Sequence, residues 1–130
     1  MSLDCPECDT TLVTFRVPET LREYGPDSSA TAGICPTCLR VQTTDSATDE
    51  PEFGRVLDTF PDEDAGVALA LLLGKLPSLT VERDAVATLR DAAERAGGDA
   101  VLTLDRLVGA TGVEPHFDLD RRVVQMEQLL

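Results

Sequence analysis

The sequence predicts an α+β fold, with a small β module at the N-terminal end and a bundle of about four α-helices after it. Three observations carry that expectation. All four cysteines fall in two like frames, Cys5-Pro6-Glu7-Cys8 and Cys35-Pro36-Thr37-Cys38, each near a run rich in β-branched residues. From residue 60 onward, apolar side chains recur at helical spacing. Between these regions lies a polar, acidic stretch without large apolar groups. The implied organisation is a cysteine module over 1–44, an acidic linker and docking segment over 45–59, and an α-helical domain over 60–130.

Within the cysteine module, Thr10 to Val17 reads as a strand because Thr11, Val13, Phe15 and Val17 alternate along it. Pro18 to Tyr24 places proline at a first helical position and is stopped by Gly25-Pro26, which predicts a helical turn or two. Asp27 to Thr31 reads as a loop, and Leu39 to Thr43 as the second strand. Four thiolates delivered as two tight pairs match the tetrahedral shell that Zn²⁺ takes in closed structural sites. Cys5, Cys8, Cys35 and Cys38 are therefore the predicted ligands of one structural Zn²⁺, and the layout resembles a zinc ribbon. A thioredoxin-like redox motif would need a Cys-x-x-Cys within a βαβ unit, and neither pair opens a long helix. Such turns often carry glycine straight after the second cysteine, where φ is positive. Asp9 and Leu39 stand there instead. Aspartate tolerates the left-handed region and leucine does not, so the second turn is expected to differ from the first.

Asp45 to Glu52 reads as the linker, ordered only where it lies against something else. Phe53, Val56, Leu57 and Phe60 supply apolar groups to dock its end. Asp62-Glu63-Asp64 gathers acids at a helix N-terminus, which the helix dipole favours. Ala65 to Leu73 is apolar around its whole circumference, so this helix should be central and buried. Leu76-Pro77 ends it. Thr80 is the predicted N-cap of a second helix, with Ala85, Leu89, Ala92 and Ala96 along one stripe. Gly97-Gly98 closes that helix and Asp99 caps a third, whose apolar face is Val101, Leu104, Leu107 and Val108. The last helix begins at about Asp118, with Leu119, Val123, Met126 and Leu130 on one stripe. Short connections between four helices imply a small orthogonal or up-down bundle.

Charge narrows the setting. Twenty-four acids face eleven bases, a formal charge of −13 at pH 7, and Lys75 is the only lysine. Lysine depletion along a whole chain calls for a global cause, and life in molar salt supplies one. At ~1 M salt the Debye length shrinks to about 3 Å, so surface carboxylates no longer repel one another. The chain is read as that of a halophilic archaeon. The same balance disfavours generic nucleic-acid binding, which depends on cationic side chains releasing phosphate counterions and weakens as salt rises. Arg16, Arg22 and Arg40 are the candidates for a local basic face. The longest strongly apolar run, Val67 to Leu73, is far short of the ~20 residues that span a bilayer. No basic start precedes an apolar h-region, so no signal peptide is expected. The expected location is the cytoplasm, where paired Cys-x-x-Cys reads as metal before disulfide.

Two further groups invite a functional reading. His116 is the only histidine and is suited by its pKa to metal ligation or general-base work. Four cysteines already satisfy a zinc ion, and no nucleophile pairs with His116 in a known motif, so it is read as a loop residue leading into the last helix. Arg121 and Arg122, with Arg106 upstream, would suit an anion. The preferred reading pairs them with acids, Asp118 and Arg122 being one helical turn apart.

The stretches Cys5–Cys8, Cys35–Val41, Phe60–Leu76, Leu102–Leu107 and Pro115–Arg122 together resemble an uncharacterised haloarchaeal family over nearly the full length. Its members open on a Cys-Pro-x-Cys pair and close on a helical region. The resemblance implies the fold and the salt adaptation and brings no activity with it. Members start close to the first cysteine, which marks Ser2-Leu3 as an expected cloning remnant. The function expected is that of a non-enzymatic adapter or regulator acting through a protein partner, with no catalytic residues and a homodimer compatible with it. Ribbon-mediated association with nucleic acid or the ribosome is the alternative, followed by an enzyme with a pocket around His116.

Overall fold

Three short antiparallel strands make the sheet: β1 (Val13–Arg16), β2 (Thr31–Ile34) and β3 (Val41–Thr43), in the order β1-β2-β3. The structure, a computed structural model, describes residues 3–130; Ser2 of the Ser2-Leu3 pair lies outside the described residues. Among these residues the sheet is joined by α1 (Glu63–Lys75), α2 (Arg83–Arg95), α3 (Ala100–Val108) and α4 (Leu119–Leu129). The fold is α+β. No helix among the described residues is long and apolar enough to cross a membrane.

The middle strand has no counterpart in the sequence reading, which took Asp27 to Thr31 as loop and assigned nothing to Ala32–Ile34. Alanine and glycine are poor strand formers; at Gly33 small size matters. A Cβ at Gly33 would stand 3.1 Å from the side chains of Leu12 and Thr44. The outer strands are shorter than expected, and for one reason. Thr10 and Thr11 are drawn into the first cysteine turn, where Thr10 O accepts from Cys5 N and Thr11 bridges Asp4. At the other outer strand Leu39 sits at φ 66°, so extended pairing begins only at Val41. Pro18 to Tyr24 forms a 3₁₀ turn over Glu19–Tyr24.

Helix α1 is buried without interruption from Ala65 to Leu73. One apolar cluster surrounds it, drawing on Phe15 and Ile34 of the sheet, Phe53 and Phe60 of the following segment, and Leu89 and Leu104 of α2 and α3. Phe53 joins the layers. Its ring centroid lies 5.7 Å from that of Phe15 and 5.4 Å from that of Phe60. The acidic segment before it runs beside β1: Thr48 N donates to Thr14 Oγ1 at 3.3 Å, Thr48 Oγ1 donates to Thr14 O at 3.1 Å, and Arg16 pairs with Asp49 at 3.1 Å.

Helix α2 begins at Arg83, later than a Thr80 cap predicts. Leu79 is buried, and to seat it the chain makes successive tight turns, with Leu79 N on Leu76 O and Glu82 N on Ser78 O. Thr80 falls inside those turns. Lys75 and Glu82, 3.5 Å apart, tie the end of α1 to the start of α2. By contrast Asp99 caps α3 as expected, accepting from Leu102 N at 3.0 Å, and Asp118, at the expected start of α4, caps it by accepting from Arg121 N at 3.1 Å.

Gly66 marks the closest approach of α1 to its cover. A Cβ there would meet Pro61 O at 2.3 Å and the Phe53 ring at 2.6 Å. Gly66→Ala is therefore expected to destabilise the fold by about 1–3 kcal/mol through overpacking. Gly54→Ala, where a Cβ meets nothing within 4 Å, should stay within about 0.5 kcal/mol of the parent. Denaturation midpoints of the two variants check this; equal midpoints would refute the close-packing account.

Candidate metal centre

The two Cys-Pro-x-Cys frames fold into the same turn. In the first, Cys5 N donates to Thr10 O and Asp9 N to Cys5 O, both at 2.8 Å. In the second, Cys35 N donates to Arg40 O and Leu39 N to Cys35 O, both at 2.9 Å. Asp9 and Leu39 close the turns at φ 54° and 66°. The expected difference between the turns is absent, and leucine occupies the left-handed region in spite of a cost of about 1–2 kcal/mol. The Leu39 side chain is fully buried. Burying a leucine contributes about 1.5–3 kcal/mol, which outweighs the strain.

Topology brings the turns together. The second is the hairpin loop from β2 to β3, and the first leads into β1. Because Val13 pairs with Ile34, and Ile34 with Val41, both turns stand at the same end of the sheet. Cys5 Sγ and Cys38 Sγ are 3.7 Å apart, and all four sulfurs lie within 4.8 Å of one another. A tetrahedral centre with metal–sulfur bonds of about 2.3 Å has edges of about 3.8 Å. A disulfide needs about 2.05 Å, and all four cysteines are free. This arrangement can hold a metal ion. Cys5, Cys35 and Cys38 are buried with Leu12 against them, and Cys8 is half-buried.

The sulfurs differ in their readiness to ionise. Desolvation, followed by hydrogen bonding to Cys38 and the nearby Cys35 charge, pushes the Cys8 thiol up to about 12. Desolvation also raises Cys35. For Cys38 desolvation acts upward too, but hydrogen bonds from the Arg40 backbone N–H and guanidinium, with those from Cys35 and Cys5, outweigh it and bring the thiol to about 7. The bond to the Cys38 sulfur in turn raises the pKa of Arg40. Backbone donation to sulfur adds to the turn, Cys38 N lying 3.4 Å from Cys35 Sγ.

The other candidate residues are placed elsewhere or in other roles. His116 is exposed, its ring edge-on to Phe117 at a centroid distance of 4.9 Å. Desolvation and the neighbouring Arg40 charge lower its pKa. Its backbone is the engaged part: His116 N donates to Cys38 O at 3.0 Å, and Glu114 N to Thr37 O at 2.7 Å. A concavity of about 580 Å³ opens beside Arg16, Asp49, Asp62 and Asp64, and His116 does not line it. Arg16 pairs with Asp49, Arg22 donates to Val17 O at 3.2 Å, and Arg40 serves the Cys38 sulfur, so the three have separate partners. Arg122 donates to Gln125 Oε1 at 2.9 Å rather than pairing with Asp118, whose carboxylate is spent on capping α4. Sequence reasoning missed both the sulfur-bound role of Arg40 and the 114–116 strap. Neither has a local signal, since both depend on partners that only the fold brings close.

A metal ion must displace the protons that Cys8 and Cys35 hold at neutral pH. Metal affinity is therefore expected to rise with pH, about a hundredfold per unit just above pH 7, where Cys8 and Cys35 still hold their protons, and more steeply below about 7, where Cys38 holds one too. Competition titrations with a chelator at several pH values read this directly. A flat profile would remove the cysteines from the ligand set.

The chain belongs to a family of unknown function, DUF6276, whose model matches residues 4–130. That span runs from the first cysteine turn to the end of α4. No curated protein and no solved structure matches the chain.

Proposed function

We propose that this member of the family is a zinc-ribbon protein in which one structural Zn²⁺ is held by Cys5, Cys8, Cys35 and Cys38, and that it acts as a non-enzymatic adapter or regulator through protein contacts. The observation that carries the reading is the convergence of four sulfurs within 4.8 Å of one another, with Cys5 and Cys38 at 3.7 Å, about the edge of a zinc tetrathiolate. Four ligands close the zinc shell and leave no position for a substrate, which favours a role in shape and recognition. Separate partners for Arg16, Arg22 and Arg40 weigh against a basic face for nucleic acid. The setting proposed is the cytoplasm of a halophilic archaeon, supported by the −13 charge and the single lysine.

Elemental analysis of chain purified under reducing conditions should give about one zinc per molecule. Cys35→Ser should lose most of that metal and destabilise the sheet. Metal-free protein with an intact sheet would sink the zinc reading. Capture of the tagged chain from a high-salt lysate should return a stoichiometric protein partner, and enrichment of RNA or DNA instead would move the function to nucleic-acid recognition.

The salt reading has a test of its own. Melting should occur at clearly higher temperature in molar than in millimolar potassium chloride, because screening relieves carboxylate repulsion. Equal melting temperatures would count against it.

A further inference from the structure

We propose that metal occupancy governs the seating of α4. The four sulfurs fix the second cysteine turn, its carbonyls hold the strap at residues 114–116, and the strap sets α4 in place. The inference rests on the metal reading above and concerns what the centre does for a distant part of the chain.

Thr37 O and Cys38 O are adjacent carbonyls of the second turn, and they accept from Glu114 N at 2.7 Å and His116 N at 3.0 Å. The donors lie in the connection between α3 and α4, far along the sequence from the cysteines. Val113 and Phe117, flanking them, pack partly buried against the main core. The turn under this strap buries Pro36, whereas its counterpart Pro6 in the other turn is exposed.

Helix α4 itself has little to hold it. It packs on α3 and the 76–78 turn and buries Leu119, Val123 and Met126, while Val124 and Leu129 remain 46% and 42% exposed. Elements with few buried apolar contacts open at low free energy, so the two strap bonds matter more here than they would for α1.

The test uses amide hydrogen exchange on the full chain, zinc-loaded and then stripped with a chelator under reducing conditions. Cobalt(II) loading and its thiolate absorption report separately on whether the sulfurs bind metal. On stripping, the amides of Glu114, His116 and α4 should exchange at least tenfold faster, while those of Leu69 to Leu73 in α1 change far less. Unchanged exchange in α4 would overturn the proposal, and so would equal loss of protection in α1, which would mean global unfolding. Absence of cobalt–thiolate absorption would instead bring down the metal reading, and this inference with it. Glu114→Pro removes one strap donor at an exposed position. It should keep the cobalt–thiolate absorption and lose α4 protection; α4 protection equal to the parent's would again overturn the proposal.

Discussion

The unbroken burial of Ala65 to Leu73 is the constraint that the other elements satisfy. A helix that is apolar on every side cannot lie on a surface; it must be enclosed. A chain of 130 residues has few elements with which to enclose it. The sheet contributes Phe15 and Ile34, the Phe53–Phe60 segment fills the space beside it, and α2 and α3 bring Leu89 and Leu104. The composition shifts near residues 45 and 60 mark differences in local structure. The hydrophobic cluster itself runs across both.

The sheet is held in two ways. Its apolar face belongs to the α1 core, and one end carries the cysteines, which form a small cluster of their own with Leu12. The chemistry at the two places differs. The hydrophobic drive around α1 is non-directional. The sulfur cluster depends on direction and charge. Two like turns present the four sulfurs, and the Arg40 guanidinium lies against Cys38 in a chain otherwise dominated by carboxylates.

Much of this was legible because it is local. The cysteine frames mark through their spacing the four sulfurs that the fold brings together, α1 declares itself by an unbroken apolar run, and α3 and α4 by apolar periodicity, with the Asp99 cap opening α3. What escaped depends on residues distant in sequence. Strand β2 reads poorly because Gly33 suits the room left by Leu12 and Thr44 rather than strand propensity. Thr80 resembles a cap, but the burial of Leu79 decides the local path. Leu39 looks unfit for a left-handed turn until its side chain is found inside the core. At the candidate centre the four cysteines were visible and their surroundings were not: backbone donors such as Glu114 N and His116 N carry no residue-type signature.

The chain order of the sulfur centre bears on synthesis. All four cysteines and β3, which ends at Thr43, precede Phe53 and α1, so the whole sheet and its thiols leave the ribosome before that cover does. At that stage Phe15 and Ile34 have no cover, because Phe53 and α1 are still to come. Hydrophobic collapse therefore has no partner surface to drive it during this interval. A metal ion bound by the thiols would act as a clamp on the nascent sheet, keeping its register until the later chain arrives to fold over it.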